Sequence, residues 1–219
     1  MSNEGLASPI IRALEETYDD LRTDNPDLPA DIVFVMGQGK TKGGIKWGHF
    51  ATGRWTAKDA IDTGSVPEVL ISAECLAAGG HQVMQTLAHE AVHALAQARN
   101  VKETSRQGRY HNKKFVTLAE ELGLTYPHDK AHDTIGWSAV ILTDAALTAH
   151  EAHIERFDEV IKVAKDAGLL ADDDKAPVKK PRVVAIVTTE EGEVFEVTDK
   201  VYEKIATALK DHDVSFEIR

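Results

Sequence analysis

The sequence predicts an α+β fold: a small mixed sheet packed on neighbouring helices, followed by a small C-terminal ββαβ appendage. Short apolar runs with the length and composition of strands occupy residues 31–37, 45–51 and 68–73. Longer segments with apolar residues at helical spacing occupy residues 8–22, 80–99, 111–122 and 144–167. Elements of this number and length suit one domain of moderate size with an appendage, as expected for 219 residues.

The amino-terminal helix is predicted at residues 8–22, with Ser8 as N-cap and Pro9 at the first helical position, where proline's missing N–H is not needed. The strand at 31–37 follows. A stretch rich in glycine and lysine then contains the strand at 45–51. We expect this stretch to edge a cleft and to pair with an extended substrate. Ordinary core packing of its aromatic residues is the alternative.

The helix at 80–99 carries a His-Glu-x-x-His pattern at His89, Glu90 and His93. Its apolar residues form one stripe, and the two histidines lie one turn apart beside that stripe. A helix of this kind packs one side on a core while the adjacent side lines a cleft. An amphipathic helix that merely has polar residues on its flank is the alternative interpretation.

Two histidines at positions i and i+4 of a helix can supply two nitrogen ligands to one zinc ion. A glutamate next to the first histidine can act as general base toward water at that ion. The sequence therefore predicts a catalytic zinc site with one Zn²⁺ per chain, in which His89 and His93 are ligands and Glu90 is the catalytic base.

A third ligand is expected in the segment that follows this helix. The metzincin pattern fails, because it requires glycine and histidine where this chain has Ala96 and Arg99. The remaining candidates are Glu120, Glu121 and His111. His111 is expected to open the helix at 111–122 and to share its buried face, one turn before Phe115.

Three segments of the chain resemble the SprT-like zinc metallopeptidases, whose best-known eukaryotic member is Spartan. These segments are EVLISAEC before the motif helix, QTLAHEAVHAL with the motif, and YHNKKFVTLAEELGL, in which a histidine precedes a phenylalanine by four residues. The resemblance covers residues 31–137. It implies a zincin-like metalloprotease core in which His89, His93 and His111 bind zinc and Glu90 is the base.

The segment at 99–114 is basic within an acidic chain. Six Lys or Arg residues oppose one glutamate there, a local charge of +5, whereas the whole chain carries −11. Because the segment joins the motif helix to His111, it is expected near the zinc ion, where it suits DNA phosphates, an acidic peptide or plain solvation. Spartan-type enzymes act on proteins attached to DNA, so the resemblance favours DNA contact. The candidate residues for contact with nucleic acid or substrate are Arg106, Arg109, Lys113 and Lys114.

A charged stretch with two prolines, residues 171–182, is predicted to link a metallopeptidase domain at 1–170 to a small module at 183–219. The module is predicted to contain a hairpin, a helix and a strand at 183–197, 199–210 and 214–218. Many SprT-like proteins of bacteria and phages end in a cysteine-rich zinc ribbon, but this module has no cysteine. Its nine acidic residues oppose four basic ones, so we do not expect it to bind DNA. It is either a ribbon-like module that folds without metal or a protein-interaction domain.

Features of a membrane or secreted protein are not found in the sequence. No apolar run approaches the length of a membrane span, and the amino terminus lacks the basic start and apolar core of a signal peptide. The single cysteine, Cys75, excludes an intramolecular disulfide and a four-cysteine zinc ribbon. We therefore predict a cytoplasmic protein without membrane contact, and the resemblance to SprT-like proteins implies a bacterial or phage setting.

Together these predictions describe a zinc-dependent protease in which zinc and Glu90 activate water for attack on a protein or peptide substrate. The resemblance extends the prediction to DNA-associated proteins and to DNA–protein crosslink repair. A regulatory zinc peptidase without DNA involvement is the first alternative, and a non-catalytic zinc-containing binding module is the second. The C-terminal module is expected to contact a protein partner.

Overall fold

Packing divides the chain into two compact units, Met1–Asp173 and Asp174–Arg219. The division falls within the predicted linker at 171–182. In addition to three strands near the C-terminus, the computed structural model of the chain describes residues 7–41, 43–55, 65–168 and 170.

Six helices are present among the described residues of the first unit. They are α1 Ala7–Asp24, α2 Ala73–Ala77, α3 Gly80–Ala98, α4 Lys113–Glu121, α5 Asp144–Ala149 and α6 Glu151–Asp166. α3 is the central helix, since twelve of its 19 residues are buried and it packs against α4, α6 and the sheet. None of the helices that the structure describes has both the length and the apolar character needed to cross a membrane.

The strands of the first unit form one small mixed sheet and three short ribbons. They are β1 Val33–Gly37, β2 Lys40–Thr41, β3 Gly44–Ile45, β4 Gly48–Trp55, β5 Val66–Ser72, β6 Thr104–Ser105, β7 Tyr110–His111, β8 Leu124–Thr125 and β9 Ile141–Leu142. The sheet has the order β1-β5-β4, with β1 parallel and β4 antiparallel to β5. β2 pairs with β3, β6 with β7 and β8 with β9, each antiparallel. The predicted α+β class and the small mixed sheet are confirmed.

One face of the sheet packs on the helices through alternate residues of β5. Val69 and Ile71 have no exposed surface, as expected for the inward positions of a strand. Phe34 on β1 lies beside Val69 in the parallel register. Its ring meets the buried ring of Tyr18 on α1 edge to face, with 5.6 Å between the centroids. α1 and the sheet therefore share one core with α3.

The start of α3 is fixed by a contact with α6. The N–H of Gly80 donates to the carboxylate of Asp158 at 2.6 Å, which satisfies one of the free donors at the amino end of the helix. Gly80 is needed here because a Cβ would collide with the carbonyl oxygen of Ile154. This close crossing sets the direction in which α3 enters the core.

The prediction of one continuous helix at 144–167 is wrong. The chain forms α5 and α6, which meet at His150, where φ is −105° and ψ is 14°. Thr143 caps α5, since its hydroxyl accepts from the N–H of Ala146 at 3.1 Å. The apolar periodicity runs through the break because it reports which face is buried, not whether each residue keeps helical dihedral angles.

The segment from residue 100 to residue 112 also differs from the prediction of a plain loop followed by a helix at His111. It forms the β6–β7 hairpin, and α4 begins only at Lys113. Asn112 is the N-cap: it has extended dihedral angles, and its side chain accepts from the N–H of Lys114 at 2.8 Å. His111 therefore lies on a strand, although it is buried as expected.

The second unit contains β10 Val183–Thr188, β11 Val194–Thr198 and β12 Glu217–Ile218, in the order β11-β10-β12 with antiparallel pairing. The predicted hairpin is present, and β12 lies within the final strand predicted at 214–218, of which the structure describes residues 217–218. The helix predicted at 199–210 lies outside the described residues.

Candidate metal centre

His89 and His93 project from one side of α3, one helical turn apart, as the sequence predicts. Their ring centroids are 5.3 Å apart. The ring of Phe115 on α4 lies against both imidazoles, at centroid distances of 4.9 Å and 5.2 Å. A buried apolar ring thus restricts the orientations of the two histidines on the side facing the core.

The β6–β7 hairpin brings His111 to the same place. The N–H of His111 donates to the carbonyl of Ile135 at 3.1 Å, and its carbonyl accepts from the N–H of Trp137 at 3.0 Å. Gly136 lies between these partners with φ at +65°, and a Cβ there would collide with the His111 carbonyl. The backbone of the third histidine is therefore held on both sides by a turn that begins 24 positions further along the chain.

The three histidines form a compact cluster of nitrogen atoms. One candidate ligand atom from each lies within 4.8 Å of the others. The Nε2 atoms of His93 and His111 are 3.1 Å apart. When two imidazoles bind one zinc ion in tetrahedral array, their ligating nitrogen atoms are about 3.3 Å apart. The Nδ1 of His111, the other ring nitrogen, is buried and has no hydrogen-bond partner among the residues that the structure describes. The cluster fits a metal ion with three nitrogen ligands.

The protonation of the cluster also suits a cation. Burial lowers the pKa of His89 well below its ordinary value, and repulsion from His93 and His111 lowers it further. Burial, followed by repulsion from His93, lowers the pKa of His111 to about 4. Metal ions bind the neutral form of imidazole, and that form is present at neutral pH at both positions.

Glu103 orients one of these imidazoles. Its carboxylate accepts a hydrogen bond from Nδ1 of His93 at 3.0 Å. Burial acts to raise the pKa of Glu103, but the hydrogen bond from His93, a backbone hydrogen bond and the electrostatic attraction of His93 and His111 together outweigh burial. The pKa of Glu103 therefore lies below its usual value. With its proton on Nδ1, His93 directs the Nε2 lone pair toward His111. This role of Glu103 was not predicted from the sequence, where its one signal is that it is the single acidic residue in a basic segment.

Glu90 is buried beside the histidine cluster and faces β4. A Cβ on Gly48 would lie 3.1 Å from Oε1 of Glu90, so the absence of a side chain lets the strand approach the carboxylate. Burial raises the pKa of Glu90, while His93, Lys46 and the backbone amide of Phe50 act to lower it. The helix thus presents a carboxylate next to the nitrogen cluster in a largely water-excluded position.

These side chains lie in a cleft of about 1670 Å³. α3 contributes the motif residues, the chain from β3 into β4 forms one part of the lining, and residues between 134 and 141 form another. The prediction that the glycine- and lysine-rich stretch edges a cleft is confirmed.

The other candidate ligands do not join the cluster. Glu121 forms an ion pair with Arg99 at 2.7 Å, and Glu120 is exposed on α4. His128 and His132, a second pair at helical spacing, lie in an exposed loop. Within the part of the chain that the structure describes, the three-histidine group is the one group of three or more such side chains that could hold a metal.

The basic segment is only partly associated with the cleft. The four predicted contact residues are all exposed: Arg106, Arg109, Lys113 and Lys114. Arg109 is the one of the four that lines the cleft, whereas the guanidinium of Arg106 lies over the ring of Tyr110 at 4.8 Å. Arg99 is paired with Asp27 at 2.8 Å. The charge available to a partner is therefore smaller than the sequence count suggests.

Comparison with known proteins adds no relative to this picture. No protein-family model, curated protein or solved structure matches the chain. The resemblance to the SprT-like family therefore depends on the three sequence segments alone.

Proposed function

We propose that this protein is a zinc-dependent peptidase of the zincin type, related to the SprT-like metallopeptidases. One observation carries the proposal: the two histidines of the His-Glu-x-x-His motif converge with His111 on one cluster, and the motif glutamate lies beside it. If the five-residue pattern had arisen by chance, a third histidine on a separate hairpin would not be expected beside the first two. The order of a mixed sheet followed by the motif helix agrees with a zincin core.

The residues fit the roles that peptide hydrolysis requires. His89, His93 and His111 would hold the zinc ion, one per chain. When bound, zinc supplies a Lewis acid that polarises a carbonyl group and lowers the pKa of water to roughly 7. The carboxylate of Glu90 takes the proton from the attacking water and returns it to the leaving amine. Glu103 keeps the imidazole of His93 in the required tautomer.

The shape of the cleft supports a polypeptide substrate. β4 lines the cleft and pairs with β5 along one edge, and its other edge has no partner strand in the described parts of the chain. An extended peptide can add to such an edge through main-chain hydrogen bonds, which form with the peptide backbone whatever its side chains are. This arrangement would bring a peptide bond alongside Glu90.

The proposal is tested by the replacement Glu90→Gln in the full chain. The isosteric amide cannot take up a proton, so we expect the variant to bind zinc but not to cleave an unfolded test protein that the zinc-loaded wild type cleaves. Glu120→Gln, an exposed position on α4, is the matched control and should cleave normally. Cleavage by the Glu90 variant at the wild-type rate would exclude catalysis at this site. Zinc binding without any cleavage by the wild type would favour a binding module.

DNA is the proposed setting for the substrate, since Arg109 lies in the cleft lining and three further cationic side chains lie close to it in sequence. The same protein substrate should be compared free and crosslinked to duplex DNA. Faster cleavage of the crosslinked form, lost at high salt, is the expected result. Equal rates would instead favour a regulatory peptidase that acts without DNA.

A further inference from the structure

Most of the large apolar side chains that remain exposed to water lie in the lining of the cleft. Among the residues that the structure describes, six large apolar side chains remain exposed. Four of the six line the cleft: Ile45, Trp47, Ile135 and Ile141. Their exposed fractions lie between 38% and 49%. Exposed apolar surface gathered in one place marks an interaction site, whereas scattered residues do not. These four residues are called the apolar walls below.

One part of the apolar walls precedes the strand that approaches the catalytic carboxylate. Ile45 ends β3, and Trp47 comes directly before β4. The next residue, Gly48, has its backbone close to Glu90. The carbonyl of Trp47 accepts a hydrogen bond from the sheet at 2.9 Å, which fixes the backbone at this point. Two exposed apolar side chains are thus held at one side of Glu90.

The other part lies next to the third histidine. The carbonyl of Ile135 accepts from the N–H of His111 at 3.1 Å, so this residue is tied to the metal centre. Ile141 is followed by Leu142, whose N–H donates to the side chain of Gln85 on α3 at 3.4 Å. Apolar side chains are therefore present both where β4 begins and beside the histidine cluster.

Charge and size indicate what this cleft can hold. Its lining contains two cationic residues, Lys46 and Arg109, and two carboxylates, Glu90 and Glu103. A lining with equal numbers of both signs does not select phosphate groups inside the cleft, so the proposed DNA contact depends on exposed cations outside the lining. The cleft volume of about 1670 Å³ also exceeds the 300–1,000 Å³ or so that is usual for small-molecule sites. An extended polypeptide with apolar side chains fits both properties.

We propose that the cleft selects extended polypeptide segments that carry large apolar side chains before and after the substrate residue that lies next to Glu90. The apolar walls contact those side chains. This inference rests on the proposed function for the identity of the site, but it concerns recognition and not the chemical step. Burial of the four wall residues against substrate would remove their apolar surface from water. Unfolded segments expose several such side chains together, and folded surfaces rarely do.

The test measures binding separately from cleavage. Two labelled peptides of equal length and charge are compared on the zinc-loaded full chain, one with leucine and phenylalanine at its centre and one with serine at those positions. Ile45→Ser and Ile141→Ser each remove one side chain from the two parts of the apolar walls, and both positions are exposed enough for the fold to tolerate the change. Val163→Ser is the matched control, because Val163 is 54% exposed on α6 and does not line the cleft.

The wild type should bind the apolar peptide at least about tenfold more tightly than the serine peptide. Each wall variant should reduce that ratio several-fold, and Val163→Ser should leave it unchanged. This result supports the proposal whether or not the peptide is cut, and the absence of cutting would count against the peptidase function alone. Equal binding of the two peptides, including no measurable binding of either, would overturn the proposal. So would a ratio that the wall variants do not change, even if both peptides are cleaved.

Discussion

Replacement of Gly48 by alanine would insert a methyl group between β4 and α3. The new Cβ would lie 2.7 Å from Cγ2 of Thr86, 2.8 Å from the carbonyl oxygen of Leu70 and 3.1 Å from Oε1 of Glu90. The first two distances are shorter than carbon makes with either atom in folded proteins. The alanine variant therefore requires movement of either the Leu70 backbone or the Thr86 side chain.

Each possible adjustment loses a contact. The Leu70 carbonyl belongs to the backbone of the central strand, so its movement would strain the sheet. Rotation of Thr86 would remove its hydroxyl from the side chain of Gln82, at 3.1 Å, and from the thiol of Cys75, at 3.3 Å. Overpacking of this kind costs about 1–3 kcal/mol. For a unit of this size that corresponds to a loss in Tm of roughly 2–4 °C per kcal/mol.

The assay is urea unfolding of Gly48→Ala beside Gly43→Ala, together with the cleavage rate of each. Gly43 is the matched control, because its Cβ would meet nothing closer than the Thr41 hydroxyl at 3.9 Å. We expect the control to be neutral or slightly stabilised. We expect the Gly48 variant to lose stability, and to lose more activity than stability alone explains because Glu90 is displaced. Equal stability of the two variants would refute the close approach of β4 to α3.

Three further predictions concern single side chains. Glu103→Ala should weaken zinc affinity by about 10–100-fold in chelator competition, whereas an unchanged affinity would mean that its bond to the imidazole does not position a ligand. Cys75 is fully buried and burial raises the pKa of its thiol to about 12, so a thiol reagent should label it only after unfolding; labelling of the native chain would contradict this burial. Asp158→Ala should reduce the free energy of unfolding by about 1 kcal/mol, because the N–H of Gly80 loses its partner. Glu159→Ala, the exposed neighbour, should change it little, and equal effects would argue against the capping role.

The sequence predicted best those helices whose apolar residues repeat along one face. α3 was predicted within one residue of its end, because its apolar stripe and its two histidines follow from the helical period alone. The position of His111 in the cluster followed from the family resemblance and from its burial. Its secondary structure did not, since Asn112 caps α4 after His111 and leaves His111 on β7.

The contacts that were missed join residues with no fixed spacing. Glu103 lies in the connection between α3 and β6, and no local pattern predicts that this connection brings its carboxylate back to His93. Gly48 had the ordinary signal of a glycine within a strand, but the partner of that close approach depends on how the sheet meets α3. The basic segment was counted as +5 because a sequence does not show that Arg99 pairs with Asp27.

The zinc content of the purified chain tests the central claim most directly. Elemental analysis should find one zinc per wild-type chain and none retained by His111→Ala, since two imidazoles on α3 hold zinc weakly without the third. His128→Ala, which removes an exposed histidine outside the cluster, should keep one zinc per chain. A wild-type chain that takes up no zinc even after reconstitution, or a His111 variant that retains it fully, would contradict the three-histidine metal centre.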